Sequence, residues 1–315
     1  MRVDGDTRDS KVEEALKASK INTLLDVPGF LTIWVSISSA SVIVVLSNAP
    51  AEVCAFWRTF LTSMIFAPIT LARRKFAFKL HHALSGVFLG LHFVFWMQSL
   101  FLLPVYQSTL IVVTYPVFNV LLDYLFFDEK PGLRKMLGFS TALILLWLFL
   151  QVNNLMFNYG VLLAFAAALF AAGYFEIGRY VRSRLGESTL SYATPTYLTA
   201  SAVALTYSIL NGSDIFSYTL ETYTAFILMA IIPMIGGHTL MNYYMKKYPA
   251  STVTSIALGE PFGAGLLGML LLSQPLAPLS LFIGFLNRLL NNQLYTSYNL
   301  LGGILTVCIF IYDVK

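Results

Sequence analysis

Long apolar runs, broken by short polar links, recur along almost the whole chain. A bilayer crossing takes roughly 20 mostly apolar residues, and runs of that length exceed what a strand or an ordinary core helix needs. Ten crossings are expected, at about 29–48, 51–72, 83–103, 105–127, 133–151, 158–178, 189–210, 222–245, 250–273 and 297–313. The pattern predicts an all-α integral membrane protein with ten transmembrane helices. Residues 1–28 are polar and charged and are expected to form a cytoplasmic N-terminal tail without fixed structure. The first apolar run is too long for the core of a signal peptide.

Composition agrees with this picture. The 315 residues are 57% hydrophobic and only 11% charged, against about 25% charged in a soluble domain. The charges are also sorted. Of the 20 cations, all but Arg58 and Arg288 fall on one side of a ten-span chain. Positive loops stay cytoplasmic, so both termini are expected in the cytoplasm of a multi-pass cell-membrane protein. Cys54 and Cys308 lie in apolar segments and make neither a disulfide framework nor a metal set.

The chain also repeats. Pro50, Pro104 and Pro116 recur as Pro195, Pro249 and Pro261, each 145 residues later. Around the later pairs, VYQSTLIVVTYPVFNVLLDYLFF aligns without a gap on ASTVTSIALGEPFGAGLLGMLLL. Residues 29–151 and 158–313 thus read as two five-helix repeats. Five is odd, so the second would enter the membrane from the opposite side, as an inverted repeat. The register breaks at about 279–297, where the extra residues predict either a helix on the outer interface or an extension of a neighbouring span.

Two five-helix halves, TYPVFNVLLDYLFFDEKP closing the fourth span, GEPFGAGLLGMLLLSQP in the ninth, and FWRTF in the second together resemble the EamA-type permeases of the drug/metabolite transporter superfamily. The resemblance implies ten helices, both ends cytoplasmic, and transport, often export, of amino acids, sugars or other small metabolites. Two departures stand out: Gln274 replaces the acid found at Glu129 in the first half, and the extra segment precedes the last span.

Few residues within the spans offer chemistry. Glu260 is the one charge in SIALGEPFGAGLLGMLL and lies about 15 Å deep, ten residues into its helix. A charge there must face the bundle interior or water, which suits either substrate or proton binding or a hydrogen bond joining the halves. Arg58 is the only cation within a span, and a pair with Glu260 would ease both burials. Polar residues spaced on one helical face suggest an interior lining: Ser85, His92, Trp96 and Ser99; Ser108, Tyr115, Asn119 and Asp123; and His238 with Asn242. Arg58, His92, Trp96, Tyr115, Asn119, His238, Asn242 and Glu260 are the candidate substrate contacts, with Glu260 the candidate for proton coupling. Asp123 and Glu176 read as structural acids near the cytoplasmic ends. Gly86, Gly90, Gly259 and Gly263 read as sites of close helix contact.

No HExxH, G-x-S-x-G, Asp-rich metal motif or phosphate-gripping loop occurs, so the chain is not expected to be an enzyme, and neither cofactor nor metal is expected. A secondary active transporter, exporting small metabolites such as amino acids by alternating access, with Glu260 as the candidate for proton coupling, fits best. The alternatives are a carrier of sugars or other neutral solutes and a membrane-embedded enzyme. The expected partners are a small-molecule substrate and the lipid bilayer, with no nucleic acid, and the chain is expected to act as a monomer.

Overall fold

The computed structural model describes residues 6–133, 136–141 and 158–274, with side chains from Asp26 onward. The extra segment at 279–297 with Arg288, the tenth span at 297–313 with Cys308, and most of the fifth span fall outside these residues. The described chain is helical and contains no strand. Helix α1 runs Asp6–Leu46, α2 Ala51–Ala72 and α3 Leu80–Leu102. The fourth span is split into α4 Val105–Val112 and α5 Tyr115–Phe127. After the undescribed stretch come α6 Tyr159–Arg179, continued by a π-helical turn Tyr180–Arg184, and α7 Thr189–Leu210. The eighth span joins α8 Leu220–Met229, a π-helical segment Ala230–Thr239 and α9 Leu240–Tyr244. The ninth joins α10 Ala250–Thr254, a 3-10 segment Ser255–Gly259 and α11 Glu260–Leu272.

Seven of these helical segments are long and apolar enough to cross a bilayer. The Thr189–Leu210 helix is equally long but falls outside that set, because it is rich in Thr and Ser. Five of its hydroxyls bond the helix's own backbone, among them Thr194 to the Leu190 carbonyl at 2.8 Å, Thr206 to Ala202 at 2.9 Å and Ser208 to Ala204 at 2.9 Å. Hydroxyls satisfied in this way need no water.

The stretch read as a free tail is helical from Asp6 and continuous with the first span. Between Asp6 and Asp26 it contains neither Gly nor Pro and is rich in Ala, Leu, Glu and Lys, all good helix formers.

The internal repeat is visible in backbone detail. Pro104 and Pro249 precede α4 and α10 with nearly the same conformation, φ −52°, ψ 141° and φ −54°, ψ 149°. Pro116 and Pro261 each sit in the first turn after a break, where a missing N–H costs nothing. Both helices then end in a left-handed residue, Asp128 at φ 57° and Ser273 at φ 53°, and both close with a bond to the same repeat position, Glu129 N–H to Asp123 O and Gln274 N–H to Gly268 O. The third proline pair does not share this equivalence. Pro50 precedes α2, whereas Pro195 lies inside α7, which starts earlier behind the Ser188 cap. The 145-residue offset therefore holds for the fourth and ninth spans but slips in the second and seventh.

Packing follows the same exchange of halves. α1 packs on the α8–α9 span and α11, as α6 packs on α3 and the α4–α5 span; α2 packs on α7, α4 on α11 and α5 on α10. Contacts sort the chain ends onto two faces. One, the basic face, gathers Asp26, Lys79, Asp123, Arg179, Glu187 and Lys247. The other gathers Ser47, Glu52, Val105, Asn211 and Gln274.

Glycines set the closest approaches. A Cβ on Gly86 would lie 2.6 Å from the Thr196 carbonyl, one on Gly90 2.8 Å from Val203 Cβ, and one on Gly263 2.6 Å from Ser38 Cβ. Gly86→Ala is expected to cost about 1–3 kcal/mol, because backbone cannot step aside. Gly173→Ala meets the Phe88 ring only at 3.4 Å and is expected to change stability little. Thermal unfolding of the two variants in detergent checks the contrast.

Candidate functional site

The fourth and ninth spans each break midway along their length, and their second segments begin with Tyr115 and Glu260. Glu260 thus occupies the first turn of α11, where the positive end of the helix dipole favours a carboxylate. It is buried, 6% exposed. Among the described residues Arg58 is the charge that acts on it, and no hydrogen bond reaches its carboxylate. Its field also reaches Tyr115, its mate in the repeat.

Arg58, on α2, is fully buried. Its guanidinium lies 4.0 Å over the centre of the Phe93 ring, a cation–π contact that substitutes for part of the lost hydration. Its Nε and Nη1 groups have no hydrogen-bond partner among the described residues. Arg58 and Glu260, whose pairing would ease both burials, are not a contact pair: the two act on one another at a distance, outside ion-pair range.

Aromatic rings connect the two charges. Phe93 meets His238 edge-on at 5.0 Å, His238 stacks on Phe175 at 5.5 Å, and Phe175 stacks on Tyr115 at 5.4 Å. His92 lies parallel to Trp96, with centroids 6.1 Å apart. His92 donates through Nδ1 to the Ala167 carbonyl at 2.9 Å, an interhelical bond that fixes its ring. Trp96 Nε1 and His238 Nδ1 are buried without partners among the described residues.

Six of the eight candidates, Arg58, His92, Trp96, Tyr115, His238 and Glu260, therefore belong to one centre. Asn242 is attached to it from below, donating to Tyr174 OH at 2.5 Å and to the His238 carbonyl at 2.9 Å. Asn119 turns elsewhere, donating to the Ala172 carbonyl at 3.0 Å and to Glu176 Oε2 at 3.3 Å. The sequence reading missed the first helix. Trp34 Nε1, Ser38 Oγ and Ser41 Oγ are buried and unpartnered among the described residues, and Trp34 and Ser38 pack on Gly263, one turn from Glu260. Their i, i+4, i+7 spacing in WVSISSAS was the available signal. Phe93, Tyr174 and Phe175 were also missed, since an aromatic residue in a span carries no sign of its role.

Toward the basic face, Asp123 accepts from Arg179 and from both the backbone N–H and the hydroxyl of Ser251, while Arg179 also reaches Glu129 and lies 3.8 Å over the Phe127 ring. Nearby, His81, His82 and Glu187 bring three metal-type ligand atoms within 4.8 Å of one another. The donor set does not suit a metal. The Lys79 backbone N–H donates to His82 Nδ1 at 3.2 Å, so neutral His82 carries its proton on Nε2 and donates it to Glu187 at 2.9 Å. The Lys79 ammonium sits 2.5 Å from the same carboxylate. Burial pushes Glu187 up, but the hydrogen bonds from Lys79 and His82 outweigh it and hold the acid below its ordinary range. The stability this adds is present above the usual carboxylate pKa and is lost as pH falls through the lowered one.

A helical membrane bundle of two repeats, with a charged aromatic centre at paired helix breaks, is the architecture of a solute carrier. The family model of the EamA-like transporter family matches residues 29–151 and again 158–289, and the chain belongs to that family. It is accordingly a multi-pass membrane transporter of small solutes. A solved crystal structure superposes at a TM-score of 0.66 over 90% of this chain and 97% of its own, at 16% identity, which shows a shared fold. No curated protein matches the sequence.

Proposed function

We propose that the protein is a secondary active transporter that exports small zwitterionic metabolites, amino acids among them, across the cell membrane by alternating access, with ten spans in two inverted repeats and both termini cytoplasmic. The observation that carries this reading is Arg58: fully buried, held by Phe93, with two N–H groups unpartnered among the described residues, facing Glu260 without touching it. A buried donor without an acceptor is costly. A solute with an anionic end for Arg58 and a cationic end for Glu260 satisfies both charges at once, and its side chain then meets Tyr115, Phe175 and His238. Glu260 alternates between that cationic group and a proton, which couples transport to a pH gradient. Phe127 lies at the basic face beside Arg179 and Gly160 at the opposite one beside Leu102 and Leu103, which supports the proposed odd number of crossings between them.

The test is uptake of a mixed metabolite pool into proteoliposomes, with and without a pH gradient, read by mass spectrometry. Zwitterions are expected to be retained and enriched by the gradient. Retention of sugars or other neutral solutes alone would reject the charge-matching argument. For topology, cysteines placed near Asn48, Asn154 and Asn211 are expected to label from outside intact cells, and those near Lys75, Lys135 and Lys247 not to. Labelling at any of the lysine sites would overturn the ten-span arrangement.

A further inference from the structure

Every ion pair among the described side chains joins the first half of the chain to the second, and every one lies at the basic face. Lys79 pairs with Glu187 at 2.5 Å, with His81 and His82 on the same carboxylate. Arg179 pairs with Asp123 and Glu129. Lys247 pairs with Asp26 at 2.5 Å, and Tyr248 donates to the same oxygen at 2.6 Å.

Across the other face the described contacts between repeats are hydrogen bonds without a cation. Val105 N–H donates to the Gln274 side chain at 3.1 Å, Thr222 to the Ser47 carbonyl at 2.9 Å and Trp57 to the Ile215 carbonyl at 2.9 Å. The acid that joins the repeats there, Glu52, is held by Asn211 at 3.3 Å and Ser213 at 2.6 Å. Repeat equivalence makes the comparison direct. Asp123 and Glu129, which grip Arg179, correspond to Gly268 and Gln274. The fold offers the same two positions on both faces, and the side chains place charge on only one.

We infer that the Arg179 cluster, flanked by the Lys79–Glu187 and Lys247–Asp26 pairs, is a charged latch that keeps the repeats closed at the basic face and must open before the central site can be reached from that side. Asp123 is its core: 2% exposed, it ties α5 to α6 through Arg179 and to α10 through Ser251. Opening separates the buried Arg179–Asp123 pair and breaks both bonds from Ser251 to Asp123, whereas opening the other face breaks hydrogen bonds that involve no cation. The protein without substrate therefore rests closed at the basic face. The inference rests on alternating access, but it is read by accessibility and needs no knowledge of substrate or coupling.

The experiment uses Thr254→Cys as a reporter, buried one turn from Ser251, in the full-length protein with Cys54 and Cys308 replaced by serine. Labelling by a membrane-impermeant maleimide is followed from each face of proteoliposomes. The parent is expected to be protected from the basic face. Asp123→Asn with Glu129→Gln is expected to speed labelling from that face about tenfold or more. Asp26→Lys and Lys247→Asp, each alone, are expected to do the same to a lesser degree, and the two together to restore protection, which mere loss of structure would not. Variants that stay monodisperse yet label as slowly as the parent, or a parent already open from the basic face, would overturn the latch. Loss of transport with the labelling pattern intact would instead count against the proposed coupling chemistry alone.

Discussion

Arg58→Met is expected to abolish substrate binding while leaving the protein folded and at least as stable as the parent. Truncating one partner of a buried charge contact costs roughly 2–5 kcal/mol of binding, a loss of about thirtyfold to several thousandfold. The stability expectation separates function from packing. Arg58 has no ion-pair partner among the described residues, and its Nε and Nη1 are unsatisfied. A buried charge of this kind burdens the fold, and an apolar side chain of similar volume relieves it. Arg58→Lys keeps the charge but loses the flat group that lies on Phe93, and is expected to fall between the two. Scintillation-proximity binding and thermal unfolding on the same preparations check the pair of expectations. A Met variant that binds normally, or that binds poorly only because it unfolds, would remove Arg58 from the substrate site.

Glu260→Gln is expected to abolish accumulation driven by a pH gradient while counterflow exchange of preloaded substrate persists. The amide keeps the shape and hydrogen-bonding capacity of the acid and lacks only its proton switch. It also leaves the first turn of α11 intact, since no hydrogen bond to the carboxylate is there to lose. If the acid served only to hold α11 in place, Glu260→Gln would lower expression and stability, and Glu260→Ala would lower them further. Gradient-driven and exchange fluxes measured in the same proteoliposomes distinguish the two. Uphill transport by the Gln variant at the parent rate would end the coupling role.

Much of the centre was legible because depth in a span is a local property. Glu260 and Arg58 are exceptional against their own neighbours, and the i, i+4 spacing of His92 with Trp96, and of His238 with Asn242, puts each pair on one face whatever lies opposite. The misreadings arose where a partner decides. Asn119 shares a stripe with Tyr115, yet Glu176 on α6 draws its amide away from the centre. Trp34, Ser38 and Ser41 passed unnoticed because Ser on a membrane helix usually bonds its own backbone, as Ser39 does to the Ser36 carbonyl at 2.8 Å. His81 and His82, adjacent in the first turn of α3, find Glu187 more than 100 residues away.

By itself the sequence determined the helical class, nearly all of the helical segments now described, the repeat of the fourth and ninth spans, and the two buried charges. Each follows from interactions within one segment: the length of an apolar run, the proline that breaks a helix, the cost of a charge in hydrocarbon. Tertiary structure alone decided that Arg58 rests on Phe93 instead of pairing with Glu260, that aromatic rings bridge the two, and that Asp123, Arg179, Glu129 and Ser251 converge on one face. Helical periodicity says which residues share a side, but the rotation of each helix against its neighbours is set by packing, through close approaches such as Gly86 on Thr196 and Gly263 on Ser38.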